Sequence, residues 1–314
     1  MNGMRRTALV ALGLLAGGLA TTAEAHGQLR ARQGLVTLDD ARIFYEVVGE
    51  GAPVLMVHGG PGLDHEYLRP GLDVLARHAT LIYYDQRGTG RSSAALDSAT
   101  VDLDAFLRDM DQLRVTLGHE KMVVMGHSFG GVLALAYARA FPEHTRGLVL
   151  LATVEPGSRW SDAAAARLAD ARTPEDSATL AELAGSPAFE ARDPRTMSRY
   201  YRTSFRATMR DPARVDELEL DLSGETARNG AEVARLLGRS LGAVDWWDEL
   251  PRIGVPTLVL HGRYDPTPVA MARALAEALP RGRYVELRGG HFPWLDDAPG
   301  LVEAVITFLT GLER

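Results

Sequence analysis

Short, continuous apolar runs separated by helix-like stretches dominate the hydrophobic pattern of this chain. Residues 53–57 are apolar throughout and lead into glycines, which is typical of a strand buried on both faces. Two strand-like segments, residues 34–38 and 42–48, precede this run, and Asp39-Asp40 between them predicts a hairpin turn. Five later runs also predict buried strands: residues 79–84, 121–125, 147–151, 257–260 and 283–287.

Stretches with helical spacing lie between most of these runs, among them residues 103–117 and 132–141. Strands that alternate with helices favour a mostly parallel sheet with helices on both faces. The pattern therefore predicts an α/β fold, and it contains no internal repeat and no low-complexity linker.

The alternation is interrupted between residues 154 and 248, which are rich in Ala, Arg, Asp and Glu and have helical spacing without buried-strand runs. This stretch predicts an α-helical cap over one edge of the sheet; the alternative is a few extra surface helices. The sheet core is expected in two parts, residues 26–153 and 249–314.

Residues 1–25 have the features of an export signal. Arg5-Arg6 is followed by an uncharged apolar run, and Ala23-Glu24-Ala25 fits a signal-peptidase site. The alternatives are a buried first helix or a membrane anchor, although the run is short for a bilayer span of about 20 residues. The arginine pair also permits twin-arginine export. We expect a protein that is exported, periplasmic or extracellular, and cleaved near Ala25, with no later segment that crosses a membrane.

The overall composition excludes several classes of protein. The 314 residues are 46% hydrophobic and 24% charged, which is typical of a globular chain and not of a disordered or fibrous one. The chain has no cysteine, so it has no disulfide, thiol nucleophile or thiolate metal site. Its formal charge is −7 and it has no basic run, which argues against a nucleic-acid partner.

Gly126-His-Ser128-Phe-Gly130 forms a G-x-S-x-G motif between a predicted strand and a predicted helix. This setting suits a sharp turn that exposes the serine hydroxyl as a nucleophile. The alternative is a glycine-rich turn in which the serine merely caps the helix.

His58-Gly-Gly-Pro-Gly62 directly follows the first buried strand. Such a turn can direct a backbone N–H toward the oxyanion that forms during acyl transfer. We predict an oxyanion hole from the N–H groups of Gly60 and Phe129, and we interpret His58 as structural.

A serine nucleophile needs a base and an acid that orients the base. His291 and Asp265 each follow a late strand, at the same carboxyl edge of the sheet as Ser128, and the order Ser, Asp, His fits a catalytic triad. The remaining histidines are expected to be surface or capping residues. Four other acids remain alternatives to Asp265: Asp245, Asp248, Asp296 and Asp297.

With these segments together, the chain resembles the α/β-hydrolase superfamily over nearly all of residues 26–314. It is most similar to the proline iminopeptidase family of serine aminopeptidases, which carries the sequences found here as His58-Gly-Gly-Pro-Gly62 and Asp85-Gln-Arg-Gly-Thr-Gly-Arg-Ser92. The resemblance implies a helical cap and hydrolysis of a short peptide or small molecule through Ser128. The triad chemistry needs no cofactor and no metal. Asp85 and Arg87 are interpreted as structural.

Two features depart from the family pattern. Many members have G-G-S-W-G at the serine, whereas Gly126-His-Ser-Phe-Gly130 is the form common among esterases and lactonases. An aminopeptidase also needs acids that bind the substrate ammonium, and the residue after Asp265 is Pro266 where relatives can carry Glu. Glu232 is our candidate for this role, with Trp294 as a second substrate-binding residue. The alternatives are an esterase or lactonase, and a binding protein that retains the fold without the chemistry.

Overall fold

The computed structural model describes residues 31–242 and 245–313. The predicted signal peptide, residues 1–25, lies outside these ranges. Within them, nine strands form one sheet. The strands are β1 (Arg32–Thr37), β2 (Ala41–Val48), β3 (Pro53–Val57), β4 (Thr80–Tyr84), β5 (Ser93–Ala94), β6 (Met122–His127), β7 (Thr145–Leu151), β8 (Thr257–Gly262) and β9 (Gly282–Leu287).

The sheet is mixed at one edge and parallel over the rest. Its order is β1-β2-β4-β3-β6-β7-β8-β9, and β5 pairs with β2. Pairs that include β2 are antiparallel, whereas every neighbour from β4 to β9 is parallel. This order confirms the predicted α/β fold, and β1 and β2 confirm the predicted hairpin.

The helices alternate with the parallel strands, as the pattern predicts. They are α1 (Arg69–Leu72), α2 (Leu103–Thr116), α3 (Phe129–Ala140), α4 (Ser161–Ala171), α5 (Pro174–Ala184), α6 (Pro187–Glu190), α7 (Pro194–Arg206), α8 (Gly224–Leu241), α9 (Val269–Ala278), α10 (Pro293–Asp296) and α11 (Ala298–Gly311). Among the described helices, none combines the length and apolar character that a membrane crossing needs.

Successive residues of the buried strands point to opposite faces of the sheet and supply two separate hydrophobic clusters. Leu55 and Val57 of β3 pack with α2, α3 and α9, whereas Val54 and Met56 pack with α1 and α11. The two-residue period of a strand produces this division. Because both faces are covered by helices, the central strands contain continuous apolar runs, such as residues 53–57 of β3 and 122–125 of β6.

Helices α4 to α8 all lie between β7 and β8, in the stretch where the sequence predicts a cap. Apolar side chains of the insertion join both clusters: Val233 and Leu237 of α8 pack in one, and Met197 of α7 and Leu220, which precedes α8, pack in the other. The insertion is therefore packed against the sheet. The division of the chain at residues 154 and 248 stays a prediction.

Candidate active site

Ser128 sits at a tight turn between β6 and α3. Its φ of 55° lies in the left-handed region, which side chains rarely adopt. A Cβ atom at Gly126 would collide with the Gly130 carbonyl, and one at Gly130 would collide with the Val57 carbonyl, so both positions need glycine. The Ser128 hydroxyl makes no capping hydrogen bond to α3. This turn exposes the hydroxyl at the carboxyl edge of the sheet, as the G-x-S-x-G spacing predicts.

Ser128, His291 and Asp265 form a continuous hydrogen-bonded row. The His291 Nε2 atom lies 2.9 Å from Ser128 Oγ, and Nδ1 of the same ring lies 2.7 Å from Asp265 Oδ2. The other carboxylate oxygen, Oδ1, accepts a 2.8 Å hydrogen bond from the Thr267 N–H. Burial raises the pKa of Asp265, but electrostatic attraction to the His291 and His261 rings, with hydrogen bonds from His291 and the Thr267 N–H, together hold that pKa below its ordinary value.

Parallel strand ends bring these three residues together from distant parts of the chain. Ser128 follows β6, Asp265 lies three residues beyond β8, and His291 lies four residues beyond β9. Since β6 pairs with β7, β7 with β8 and β8 with β9, the loops after them meet at one edge.

The four acids considered as alternatives to Asp265 lie elsewhere. Asp245 and Asp248 are exposed, Asp296 accepts the Gly290 N–H, and Asp297 caps α11.

The glycine-rich loop after β3 lies against Ser128. A Cβ atom on Gly59 would come within 2.9 Å of the Ser128 Cβ, so only glycine permits this approach. Gly60 has φ of +124° and lines the cavity next to the serine. Phe129 is the first residue of α3, where backbone N–H groups have no partner within the helix. These positions suit Gly60 and Phe129 as donors to an oxyanion.

A small cavity of about 30 Å³ adjoins Ser128. Besides Ser128 and His291, its lining is mostly apolar and aromatic: Gly60, Leu63, Tyr67, His127, Phe205 and Phe292. Phe205 comes from α7 of the insertion, and its ring packs against that of Phe292. The insertion therefore supplies part of the wall around the nucleophile.

The two predicted substrate-binding residues are not among those that line this cavity. Glu232 lies on α8 with 39% of its side chain exposed, and its carboxylate binds Arg235 in a two-point ion pair. Trp294 is buried on α10, where its ring lies 4.9 Å from that of His127. The structure thus places Trp294 behind the site and Glu232 on a solvent-facing part of α8.

The expectation that the remaining histidines are surface or capping residues is wrong for His65, His127 and His261, which are all buried. The His65 ring donates a hydrogen bond to Asp85, in the loop after β4. The His261 ring is hydrogen-bonded to the Thr267 carbonyl. His58 is also buried and accepts the Gln86 N–H, as its structural interpretation requires. Burial lowers the pKa of His58 to about 4, so this ring is neutral at pH 7.

Asp85 and Arg87 hold the loop after β4, as predicted. Asp85 accepts hydrogen bonds from the backbone N–H groups of His65 and Arg91. Arg87 is fully buried and forms a two-point ion pair with Asp109 of α2. Neither residue lines the cavity at Ser128, so both support the loops behind the site.

The contacts that hold the backbone of His291 were not predictable from the sequence. Its N–H donates a 2.8 Å hydrogen bond to the Thr208 carbonyl in the insertion, and its carbonyl lies 2.8 Å from the His127 Nε2 atom. No motif marks Thr208, and His127 occupies the variable position of G-x-S-x-G. The only feature of the sequence that could have indicated a role for His127 is that it is a histidine next to the nucleophile.

Comparison with known proteins agrees with this fold. Residues 52–298 match the α/β hydrolase fold family, and the chain belongs to that family. Within it, the chain is proline iminopeptidase-like: it is 27% identical to a proline iminopeptidase of Flavobacterium johnsoniae over 266 residues, which cover 82% of this chain and 89% of the relative.

Solved structures of two kinds of hydrolase share the architecture. A proline iminopeptidase-related protein from Thermus thermophilus is 29% identical, with a TM-score of 0.64 over 90% of this chain and 99% of that one. A thermophilic esterase from Thermogutta terrifontis is 25% identical, with a TM-score of 0.67 over 90% of this chain and 100% of that one. The protein is thus a hydrolase whose relatives include both peptidase and esterase types.

Proposed function

We propose that this protein is a serine hydrolase that releases N-terminal proline, or another small apolar residue, through an acyl-enzyme on Ser128. The hydrogen-bonded row from Asp265 through His291 to the Ser128 hydroxyl carries this proposal. It presents a nucleophile, a base and an orienting acid beside one cavity, which is what acyl transfer needs.

The reaction begins when Ser128 Oγ attacks the substrate carbonyl carbon while His291 Nε2 takes the hydroxyl proton. The Gly60 and Phe129 N–H groups bind the oxyanion of the tetrahedral intermediate. His291 then donates its proton to the leaving amine, and the acyl group remains on Ser128. A water molecule, activated by the same imidazole, releases the acyl group and regenerates the serine.

The preference for a small apolar residue is supported by the cavity and by the relatives. Leu63, Phe205 and Phe292 give the wall beside Ser128 an apolar character, which favours an apolar group on the substrate next to the scissile carbonyl. A sequence relative that aligns with 82% of this chain is a proline iminopeptidase. The motif His58-Gly-Gly-Pro-Gly62 adds to this likeness.

Hydrolysis of a small ester or lactone is the second candidate, and one observation favours it. Among the described residues, those lining the cavity include no carboxylate that would bind a substrate ammonium. Glu232 is paired with Arg235, and Pro266 follows the acid of the triad. An ester or lactone substrate needs no such anchor.

A direct comparison of substrates separates the two candidates. We expect residues 26–314 to cleave prolyl 4-nitroanilide, and cleavage should stop when the prolyl nitrogen is acetylated. Ser128→Ala should remove nearly all turnover of any substrate while the thermal midpoint stays within a few degrees. Cleavage of 4-nitrophenyl acetate alone would favour the esterase, and equal activity in Ser128→Ala would exclude this mechanism.

We also propose that residues 1–25 direct export, which places the protein in the periplasm or outside the cell. The basic pair, the apolar run and the Ala23-Glu24-Ala25 sequence support this. Expression of the full chain in a bacterial host, followed by mass spectrometry of the exported fraction, should give a protein that begins at His26. An intact N-terminus confined to the cytoplasm would contradict the proposal.

A further inference from the structure

Three buried hydrogen bonds connect the loop after β3 to the backbone of His291. The Gly59 N–H donates to the Tyr67 hydroxyl at 2.6 Å, the same hydroxyl lies 2.9 Å from His127 Nδ1, and His127 Nε2 lies 2.8 Å from the His291 carbonyl. Tyr67 and His127 are each at most 2% exposed. This series of hydrogen bonds links the two loops that contact Ser128, the loop after β3 and the loop that carries His291.

The partners at each end determine the direction of every hydrogen bond. A carbonyl only accepts, so His127 Nε2 carries a proton and donates it to His291. Burial, with a smaller effect from the neighbouring His291 ring, lowers the pKa of His127 to about 3, so the His127 ring is neutral and its Nδ1 atom is an unprotonated acceptor. The Tyr67 hydroxyl donates to that acceptor and accepts from the Gly59 N–H. Every polar atom of both side chains is therefore satisfied in one arrangement.

Both ends of this series of hydrogen bonds lie next to groups with proposed roles in the reaction. Gly59 precedes the oxyanion donor Gly60 and lies against Ser128, since a Cβ on Gly59 would be only 2.9 Å from the Ser128 Cβ. At the other end, His127 holds the carbonyl of His291, whose N–H is bonded to Thr208. A shift at either loop would change the distance between base, nucleophile and oxyanion donors.

We propose that Tyr67 and His127 are positioning residues, which hold the backbone of Gly59 and the backbone of His291 in a fixed relation across Ser128. This inference rests on the proposed function of the triad. Neither side chain transfers a proton to the substrate. Their contribution is the alignment of the base with the serine and of the Gly60 N–H with the oxyanion, which matters most in the transition state.

Four variants test this proposal by steady-state kinetics with prolyl 4-nitroanilide and 4-nitrophenyl acetate. Tyr67→Phe and His127→Leu keep the volume and remove the hydrogen bonds, and each should lower kcat about 10- to 100-fold with KM within about twofold of the parent. His127→Gln offers an acceptor and a donor with a spacing close to that of the two ring nitrogens. It should recover kcat to within about threefold of the parent.

Tyr67→Phe combined with His127→Leu should be no worse than either single variant, because the residues act as a unit. Tyr284→Phe, which removes a phenol hydroxyl bonded to Glu286 away from the cavity, is the matched control and should leave kcat unchanged. Parent-like kcat in Tyr67→Phe and His127→Leu would overturn the proposal. So would an equal loss in His127→Gln and His127→Leu, since packing alone would then explain the effect.

Two further measurements separate this proposal from the proposed function. Activity that persists in Ser128→Ala would show that the triad mechanism is wrong, whatever the other variants do. The hydrogen-bond chain is then judged by ¹⁵N NMR of the imidazole nitrogens, which should report a neutral His127 with its proton on Nε2 at pH 7. A proton on Nδ1, or a charged ring, would overturn the chain independently of any activity.

Discussion

Asp265 is a buried negative charge whose principal partner is the His291 imidazole. Asp265→Asn keeps the size of the side chain but removes its charge, so it would neither stabilise the imidazolium nor select the tautomer that Ser128 needs. We expect kcat to fall about 10³- to 10⁴-fold with little change in KM, as measured by steady-state kinetics. Asp245→Asn, an exposed acid, is the control; a loss in that variant and not in Asp265→Asn would reassign the acid.

The same variant should change how stability depends on pH. The pKa of Asp265 is lower in the folded protein than the value of about 3.9 expected for the unfolded chain. Its contribution is therefore complete above that pH and is lost as the pH falls through the folded-state pKa. Urea unfolding between pH 5 and pH 3 should show a smaller loss of stability in Asp265→Asn than in the parent. An identical loss in both proteins would contradict this assignment.

Residues at strand ends were predictable from the sequence, whereas residues that support them were not. Ser128, Asp265 and His291 each follow a recognisable buried strand, and parallel strands bring such positions to one edge. His127 contacts the backbone of a residue 164 positions away, and no local pattern encodes that contact. Glu232 is predicted from its residue type within a helical stretch, and residue type contains no information about which side of the helix faces the cavity.

At the scale of elements, α8 meets the loop after β3 at a contact between two glycines. A Cβ on Gly230 would collide with the Gly62 carbonyl, and one on Gly62 would collide with Gly230, so the two backbones touch. Nearby, Thr226 of α8 donates to Asp64 and accepts the Gly90 N–H, which joins the same helix to two loops of the sheet. This contact sets the position of the insertion beside the proposed oxyanion loop.

Alanine at two positions of α8 should therefore have opposite effects. Gly230→Ala forces α8 away from the loop and should lower the free energy of unfolding by about 1–3 kcal/mol. Gly238→Ala, where nothing lies within 4 Å of the new methyl group, should raise it by about 0.5–1 kcal/mol because alanine favours the helix. Urea denaturation of both variants measures the difference. Equal changes would mean that helix propensity, and not the glycine contact, dominates.

Element boundaries follow the apolar pattern where that pattern is strong. The buried strands lie within a few residues of their predicted positions because continuous apolar runs are unambiguous. Helix α3 begins at Phe129, three residues before the predicted start at residue 132, because Gly130 and Gly131 add no apolar side chain to the period. Strand β5 was not predicted, since two residues are too few to show a period.

At the scale of the whole molecule, apolar side chains of the insertion pack in both hydrophobic clusters of the sheet. Leu220 is 1% exposed and packs in the cluster that also contains Tyr67 and Phe292, while Leu237 of α8 packs in the cluster on the opposite face. An insertion with a separate core would be able to unfold alone. Side chains shared with the sheet instead couple the insertion to the rest of the molecule.

We therefore expect the sheet and the insertion to unfold together. Leu220→Ala removes buried apolar volume from the insertion and should lower the free energy of unfolding by about 2–5 kcal/mol. Far-UV circular dichroism and tryptophan fluorescence should give coincident urea transitions for the parent, and both should shift equally in the variant. Two separate transitions, with only the first moved by Leu220→Ala, would instead define residues 154–248 as a domain that folds independently. In that case the wall around Ser128 would be lost before the sheet that carries the triad.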